Sequence, residues 1–295
     1  MILIDNRDNR DPYINAAIEE YIVRELRPGK EDYILLYINT PCVVVGKNQS
    51  IYKEVNFDYL RSEKFLIRRI SGGGTVYHDE GNLCFAFLSA FDDKKVNNYR
   101  HFNQPLVDAL QKAGIDAQFN KRNDILWDGK KISGNAQFTD RKNILSHGTL
   151  LVHSDLKKLR AALKPNSFEV ESKAVSSVRS SVMNISEKSD AFKTADELKA
   201  YFTTELSISD THPFSDEEWA KINDLAESKF KSFDWLWGRN PYTKITKPDL
   251  TLELEDGIMQ SIESHYENLK TLIGRRYNYS ALKDAVDKEL LEIIF

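Results

Sequence analysis

Apolar residues recur at Ile14, Ala17, Ile18, Tyr21, Ile22 and Leu26, the spacing of one helix face. Asp11-Pro12 supplies the start: an aspartate can cap the free N–H groups, and proline suits the first helical position. Arg27-Pro28-Gly29-Lys30 ends the pattern. The period then shortens. Tyr33 to Ile38 and Val43 to Val45 are apolar, rich in β-branched and aromatic residues, and predict strands. A helix is expected over Phe57 to Lys64, strands over Phe65 to Ile70 and Leu83 to Leu88, and an extended segment over Thr75 to His78. His101 to Ala113 predicts an amphipathic helix. Two turns, Asp128-Gly129 and Thr139 to Asn143, separate extended runs at Asp124 to Trp127, Lys131 to Phe138 and Ile144 to Val152. Further helices are expected over Thr194 to Leu206 and Asp216 to Phe230.

Strand meanders interspersed with helices predict an α+β fold, a mixed or antiparallel sheet flanked by helices. The hairpins argue against a doubly wound parallel sheet. Glu171 to Ser181 is serine-rich and basic and reads as a surface loop with binding potential. Gly238 to Pro248 reads as a linker. It divides an expected main domain, residues 1–240, from a short C-terminal accessory domain, residues 249–295. A segment of that size is expected to bury little apolar area and to add little to the main core.

The composition, 41% hydrophobic and 29% charged, is that of an ordinary soluble protein. No apolar run approaches the ~20 residues needed to span a bilayer, and the first residues do not form a signal peptide. Cys42 and Cys84 each lie in an apolar run, which suits a reducing cytoplasm. A net charge of −4 gives no general reason to bind nucleic acid. Basic residues instead pair locally, at Arg68-Arg69 and Lys130-Lys131. Such pairs suit a small anionic ligand; taken singly, each also reads as a solvated surface pair.

Three stretches carry candidate chemistry. The first runs from Arg68 to Asn82 around Ser71-Gly72-Gly73-Gly74. Consecutive glycines admit close backbone approach, and their N–H groups can converge on an anion. No Gly-Lys-Ser/Thr follows, so this is not a Walker loop. By itself a glycine triplet is more often a plain flexible loop. The second is Asn123 to Gln137. Lys131 lies just after a tight turn, Ser133, Gly134 and Ala136 are small, and Asp124 is a hard oxygen ligand. Its plain alternative is a hairpin with exposed lysines. The third is Ser146-His147-Gly148-Thr149, where a histidine enters a strand and has a structural reading as well.

Together these stretches resemble the lipoate–protein ligase family of the biotin/lipoate ligase superfamily. Arg68-Arg69-Ile70-Ser71-Gly72-Gly73-Gly74-Thr75-Val76-Tyr77-His78-Asp79, Gly129 to Ala136 and His147 to Leu151 occur in the family's order. Asp11 to Glu20, Val45 to Gln49 and Ser177 to Asn184 also look like family segments, so the resemblance covers about residues 1–240. It implies a biotin protein ligase-like catalytic domain and two half-reactions: lipoate and ATP give lipoyl-adenylate, and a carrier lysine then takes the acyl group.

The resemblance also implies site residues. Lys131 is catalytic, contacting acyl carbonyl and phosphate, and Arg69 contacts phosphate. Ser71, Gly72, Gly73, Gly74, Thr75, Val76, Tyr77, Asn82, Asn123, His147, Gly148 and Thr149 complete the adenylate-binding set. Asp124 holds Mg²⁺. Val43, Val44, Val76 and Phe87 are candidates for lining the dithiolane slot. The implied partners are lipoate and the lipoyl carriers, namely the glycine-cleavage H protein and the E2 subunits of 2-oxoacid dehydrogenases. The enzyme is expected to be monomeric, with no nucleic acid or membrane partner. Two alternatives stand beside this: an ATP-independent lipoyl or octanoyl transferase with a cysteine nucleophile, and a non-catalytic lipoate- or carrier-binding protein.

Overall fold

The computed structural model describes residues 1–62 and 64–295. Helix α1 (Pro12–Glu25) starts as expected, with the Asp11 carboxylate accepting from the backbone N–H groups of Tyr13 and Ile14. The first strands are β1 (Ile2–Asp5), β2 (Tyr33–Tyr37), β3 (Cys42–Val45), β4 (Phe65–Arg68), β5 (Val76–His78) and β6 (Asn82–Ala90). Then come β7 (Gln118–Phe119), β8 (Ile125–Trp127), β9 (Lys130–Ser133), β10 (Asn135–Thr139) and β11 (Asn143–Leu151). The last are β12 (Glu169–Ser172), β13 (Asp210–Pro213), β14 (Thr243–Lys247), β15 (Leu250–Glu255) and β16 (Ile258–Ser264). The helix expected over Phe57 to Lys64 is found at Phe57–Arg61, and Glu63 within that range lies outside the described residues.

A six-stranded sheet in the order β10-β11-β6-β2-β1-β13 forms the centre. Its first four strands are antiparallel and its last three parallel, so the sheet is mixed, as the α+β reading requires. One of its faces is covered by α1 and Asp216–Leu225, the other by Tyr99–Lys112 and Ala195–Glu205. Beside it stand two three-stranded sheets, β4-β3-β5 and β7-β8-β9. The single strand expected over Lys131 to Phe138 breaks at Gly134. Its first half closes the β8–β9 hairpin and its second joins the central sheet. Asp128 and Gly129 both take positive φ, the geometry that a two-residue hairpin turn demands.

The tail departs from expectation. The stretch read as a linker contains β14, which pairs with β12 and β15 in a four-stranded sheet that continues to β16. Leu250, Leu252, Leu254, Met259 and Phe295 are buried in one cluster with Val43, Val45, Tyr52, Phe57 and Leu66. The Tyr52 hydroxyl donates to the Tyr277 carbonyl at 2.7 Å. Residues 249–295 therefore bury substantial apolar surface against the main core. The alternation of Leu250, Leu252 and Leu254 with Thr251, Glu253 and Glu255 makes the segment polar on average while supplying one apolar strand face. Among the described residues no helix is long and apolar enough to cross a membrane.

Candidate active site

The β4-β3-β5 sheet has two dissimilar faces. Strand alternation sends Val43, Val45 and Tyr77 into the core shared with the tail, and Cys42, Val44, Val76 and Ile67 to the other side. There they meet α1. Pro12, Ala16 and Glu19, spaced four and three residues apart, share one helix face and line a slot of about 400 Å³ with Val44, Val76 and Ile67. Of the four slot candidates named from sequence, Val44 and Val76 are on its wall. Val43 and Phe87 are not, because both point into other core clusters.

One side of the slot carries a buried polar chain. The Tyr37 hydroxyl donates to Glu19 Oε1 at 2.9 Å. Glu19 Oε2 lies 2.7 Å from His147 Nδ1, and His147 Nε2 lies 2.6 Å from Ser71 Oγ. Ser71 Oγ accepts from Arg69 Nε at 3.0 Å. A carboxylate only accepts, so His147 carries its proton on Nδ1 toward Glu19, and the Ser71 hydroxyl donates to Nε2. Burial, reinforced by the Glu19 charge, holds the Tyr37 phenol far above its ordinary range. Glu19 lies within the family-like segment Asp11 to Glu20, but no local pattern gives it a role. A carboxylate at the position that completes an apolar helix face with Pro12 and Ala16 is the signal that could have found it.

The two adjacent arginines do different work, and neither is solvated. Arg68 is fully buried. It donates to the carbonyls of Gly46, Lys47, Gln49 and Leu236 and to Asn240 Oδ1, tying the β3 exit to the segment before the tail sheet. Burial lowers its pKa to about 10. Arg69 reaches the slot and folds over the glycine turn, donating to the Gly72 and Gly74 carbonyls at 2.6 and 2.8 Å and to the Val44 carbonyl. Burial also lowers it to about 10, partly offset by Glu19. Gly73 sits at φ +92°, where a Cβ would be strained and would meet Arg69 Nη2 at 2.9 Å. The glycine turn is thus clamped by its own arginine rather than loose.

Lys131 stands where the slot opens into a second, larger cleft of about 590 Å³. Its ammonium lies 2.8 Å from Asp124 Oδ1, and its stem passes over Gly134, where a Cβ would come within 3.0 Å. Lys130 is exposed, as strand alternation expects. The cleft is rimmed by the exposed cations Lys53, Arg160, Lys164 and Arg179. The serine-rich segment after β12 runs between slot and cleft. Ser177 Oγ donates to Glu54 Oε2 and accepts from the Thr75 N–H at 2.9 Å and from Gln49 Nε2 at 3.0 Å. The binding potential read for this segment corresponds to a wall of both cavities.

Arg69, Gly73, Gly74, Thr75, Val76, Asp124, Lys131, His147, Gly148 and Thr149 all line the slot, although they come from distant parts of the chain. Tyr77 reaches only the cleft. Ser71, Gly72, Asn82 and Asn123 line neither cavity and stand behind the walls. Asn123, at φ 62°, offers its carbonyl to Asn135 Nδ2. Among the described residues no three His, Cys, Asp or Glu side chains group as a protein-built metal site. Both cysteines are buried and free, and burial raises both thiols. His78, on the slot wall, is pushed down to about 3 by burial, with Arg69 and His147 adding to the effect.

A slot with one apolar wall and one polar wall opens past a lysine into a cleft rimmed with cations, an arrangement suited to an enzyme that handles an anionic substrate. The lipoyl protein ligase A/B catalytic domain matches residues 11–207, and the chain belongs to that family. A lipoate–protein ligase of Bacillus subtilis is 36% identical over 313 residues, covering 97% of this chain and 94% of its own. Two solved structures share the fold. Lipoate–protein ligase A bound with ATP has a TM-score of 0.65 and 27% identity, covering 80% of this chain and 96% of the other. A bi-partite lipoate protein ligase from Thermoplasma acidophilum, described with its E2 lipoyl domain, has a TM-score of 0.65 and 26% identity, covering 80% and 95%.

Proposed function

We propose that this ATP-dependent lipoate–protein ligase seats the lipoyl tail in the slot and the nucleotide in the cleft, with the reacting atoms at Lys131. The observation that carries this reading is the position of Lys131, on the wall common to both cavities. In the first half-reaction a lipoate carboxylate oxygen attacks the α-phosphorus of ATP. The bond to the bridging oxygen breaks, and pyrophosphate leaves with the electron pair. The two reactants are both anions, and a cation between them offsets their repulsion. In the second, the neutral amine of a carrier lysine attacks the acyl carbon. The amide forms, AMP departs with the electron pair of the broken C–O bond, and the nitrogen loses its proton to solvent. The Lys131 ammonium then faces the developing oxyanion.

The Lys131–Asp124 ion pair suits this use. Without ligand each charge neutralises the other at 2.8 Å. With substrate, Lys131 would turn to the acyl phosphate, and Asp124 is the carboxylate that would then hold the nucleotide's Mg²⁺. A single carboxylate fits that ion, which takes its other ligands from phosphate and water. Bound there, Mg²⁺ would draw charge from the triphosphate. Arg69 orders the glycine turn on the slot wall, within the reach of a phosphate held where slot and cleft meet, and Ser71, Gly72, Asn82 and Asn123 support the walls from behind. The acceptors we propose are H protein and E2 lipoyl domains, met by a monomeric cytoplasmic enzyme. The transferase alternative needs an accessible thiolate, whereas Cys42 and Cys84 are buried and line neither cavity. Lipoate-dependent ATP–pyrophosphate exchange tests the reading directly. Exchange that requires both lipoate and Mg²⁺ is expected, and transfer without ATP would overturn it.

A further inference from the structure

Thr75 and Lys131 both line the slot and the cleft, but they come from different sheets. Thr75 leads from the glycine turn into β5, in the β4-β3-β5 sheet, and Lys131 lies on β9, in the β7-β8-β9 sheet. The serine-rich segment is hydrogen-bonded to both. At its far end the Lys131 N–H donates to the Ser181 carbonyl at 2.9 Å, and the Met183 N–H donates to the Lys131 carbonyl at 3.1 Å. At its near end it is held by Ser177. Between these two anchors Val178, Arg179 and Ser180 are exposed; Val178 and Ser180 line both cavities, Arg179 the cleft.

The direction of every bond at Ser177 follows from its neighbours. A backbone N–H only donates, so the Gly46 N–H, 3.0 Å from Gln49 Oε1, fixes that end of the amide as the acceptor. Gln49 Nε2 then donates to the Val175 carbonyl at 3.3 Å and to Ser177 Oγ at 3.0 Å. The Thr75 N–H donates to the same hydroxyl oxygen at 2.9 Å. Facing two donors, the Ser177 hydroxyl turns its one hydrogen to Glu54 Oε2, and the Ser177 backbone N–H donates to Glu54 Oε1 at 3.2 Å. One bond donated and two accepted is the full capacity of a hydroxyl, so Ser177 has no hydrogen bond left for a ligand. Glu54 is placed by the short helix Ile51–Glu54, whose first N–H donates to Asn240 Oδ1 at 2.6 Å and whose Tyr52 is tied to the tail. The fit against the turn is close: a Cβ at Gly74 would come within 3.1 Å of Ser177 Oγ.

We propose that Ser177 is a positioning residue: held by Glu54 and Gln49, it fixes the exit of the glycine turn relative to Lys131 and so sets the slot and the cleft in reacting register. This rests on the two cavities being the acyl and nucleotide sites. The Ser177 hydroxyl is fully bonded within the protein, so its loss leaves the affinity for each substrate alone intact. What suffers is the step that needs both substrates at once, where a misplacement of ~1 Å costs about a hundredfold in rate.

The test combines amide hydrogen exchange with binding and kinetics. In the unsubstituted chain the Thr75 and Lys131 amides should be protected, although both residues stand on cavity walls. Ser177→Ala should speed exchange at both amides about tenfold, while the Leu252 amide, in the tail sheet, stays as slow as before. In calorimetry Ser177→Ala should bind lipoate and ATP, each alone, with unchanged stoichiometry and Kd. Its kcat for lipoate-dependent pyrophosphate exchange should nevertheless fall by about 10- to 100-fold. Glu54→Gln keeps one acceptor for the Ser177 hydroxyl and should show a smaller fall in kcat, again at unchanged binding; it reads the same quantities if Ser177→Ala does not fold. Unprotected Thr75 in the unsubstituted chain, full kcat in Ser177→Ala, or a kcat that falls only in proportion to the calorimetric stoichiometry would overturn the proposal. Absence of lipoate-dependent exchange in the unsubstituted chain would remove the ligase reading, and the role in catalysis with it; that failure is distinct, because the joint protection of Thr75 and Lys131 does not depend on it.

Discussion

The slot and the cleft meet at Lys131 but are built in opposite ways. In the slot, the polar groups of Tyr37, Glu19 and His147 are buried and satisfied by one another. In the cleft, Lys53, Arg160, Lys164 and Arg179 stand in solvent on the rim. The slot is ordered before any ligand arrives, so its geometry belongs to the fold and its residues carry stability as well as binding. The cleft waits for charge, and its side chains lose freedom only when an anion is held. Preorganisation suits an uncharged tail that offers few contacts of its own. Exposed cations suit a polyanion that brings its own charge and must also leave as pyrophosphate.

The largest effect should come from behind the slot. The β4-β3-β5 sheet has the slot on one face and the tail core on the other. Deleting residues 249–295 should therefore leave a chain that does not hold its native state, seen as loss of the cooperative urea transition. Leu252→Ala alone should cost about 2–5 kcal/mol. A deleted chain that still unfolds cooperatively and binds lipoate would show that the two faces are independent.

Next in size is the junction. Lys131→Ala should slow both half-reactions by about 10²–10³-fold. Stability should fall by about 1–3 kcal/mol, because the Asp124 side chain is only 14% exposed and loses its cation while keeping the Asn120 amide. Lys130→Ala should leave rates nearly unchanged. Single-turnover transfer from preformed lipoyl-adenylate, measured beside exchange, checks both halves.

Glu19→Gln probes the preorganised wall. An amide offers one acceptor to the two donors Tyr37 and His147, so one buried donor is left facing an N–H. We expect a loss of about 1–3 kcal/mol in urea unfolding, accompanied by weaker lipoate binding in calorimetry. An unchanged stability with reduced rate would mean Glu19 acts on substrate rather than on the wall.

The smallest effect belongs to the rim. Arg160→Ala should weaken ATP binding by roughly two- to fivefold at low salt, within the ~1 kcal/mol of an exposed ion pair, and by less at high salt. Lipoate affinity in the same variant should not move. A salt-independent loss would place Arg160 deeper in the nucleotide site than its exposure indicates.

Much of this was legible in the sequence, for physical reasons that differ by region. Asp11-Pro12, Asp128-Gly129 and the glycine turn carry their conformations in local chemistry, and the elements beside them fall where expected. Lys131 and Lys130 separate by simple alternation. Long-range partners were less visible. Arg68-Arg69 reads as one basic pair, and only tertiary packing buries Arg68 among carbonyls while Arg69 clamps the turn. Glu19 and Ser71 belong to the same hydrogen-bonded chain but come from elements that no local pattern connects. The tail looked too polar to pack because its leucines occupy alternate strand positions, and a face can be apolar when the average is not. Val43 and Phe87 shared the composition of the slot wall but not its side of the sheet.

The most direct test of the account is a crystal structure with a non-hydrolysable lipoyl-adenylate analogue. The acyl chain should lie between α1 and β5, touching Ala16, Val44 and Val76. The adenylate should lie in the cleft, and the Lys131 ammonium should have turned from Asp124 to the acyl phosphate linkage. An acyl chain lying in the cationic cleft, or a Lys131 still paired with Asp124 and out of reach of the analogue, would contradict it.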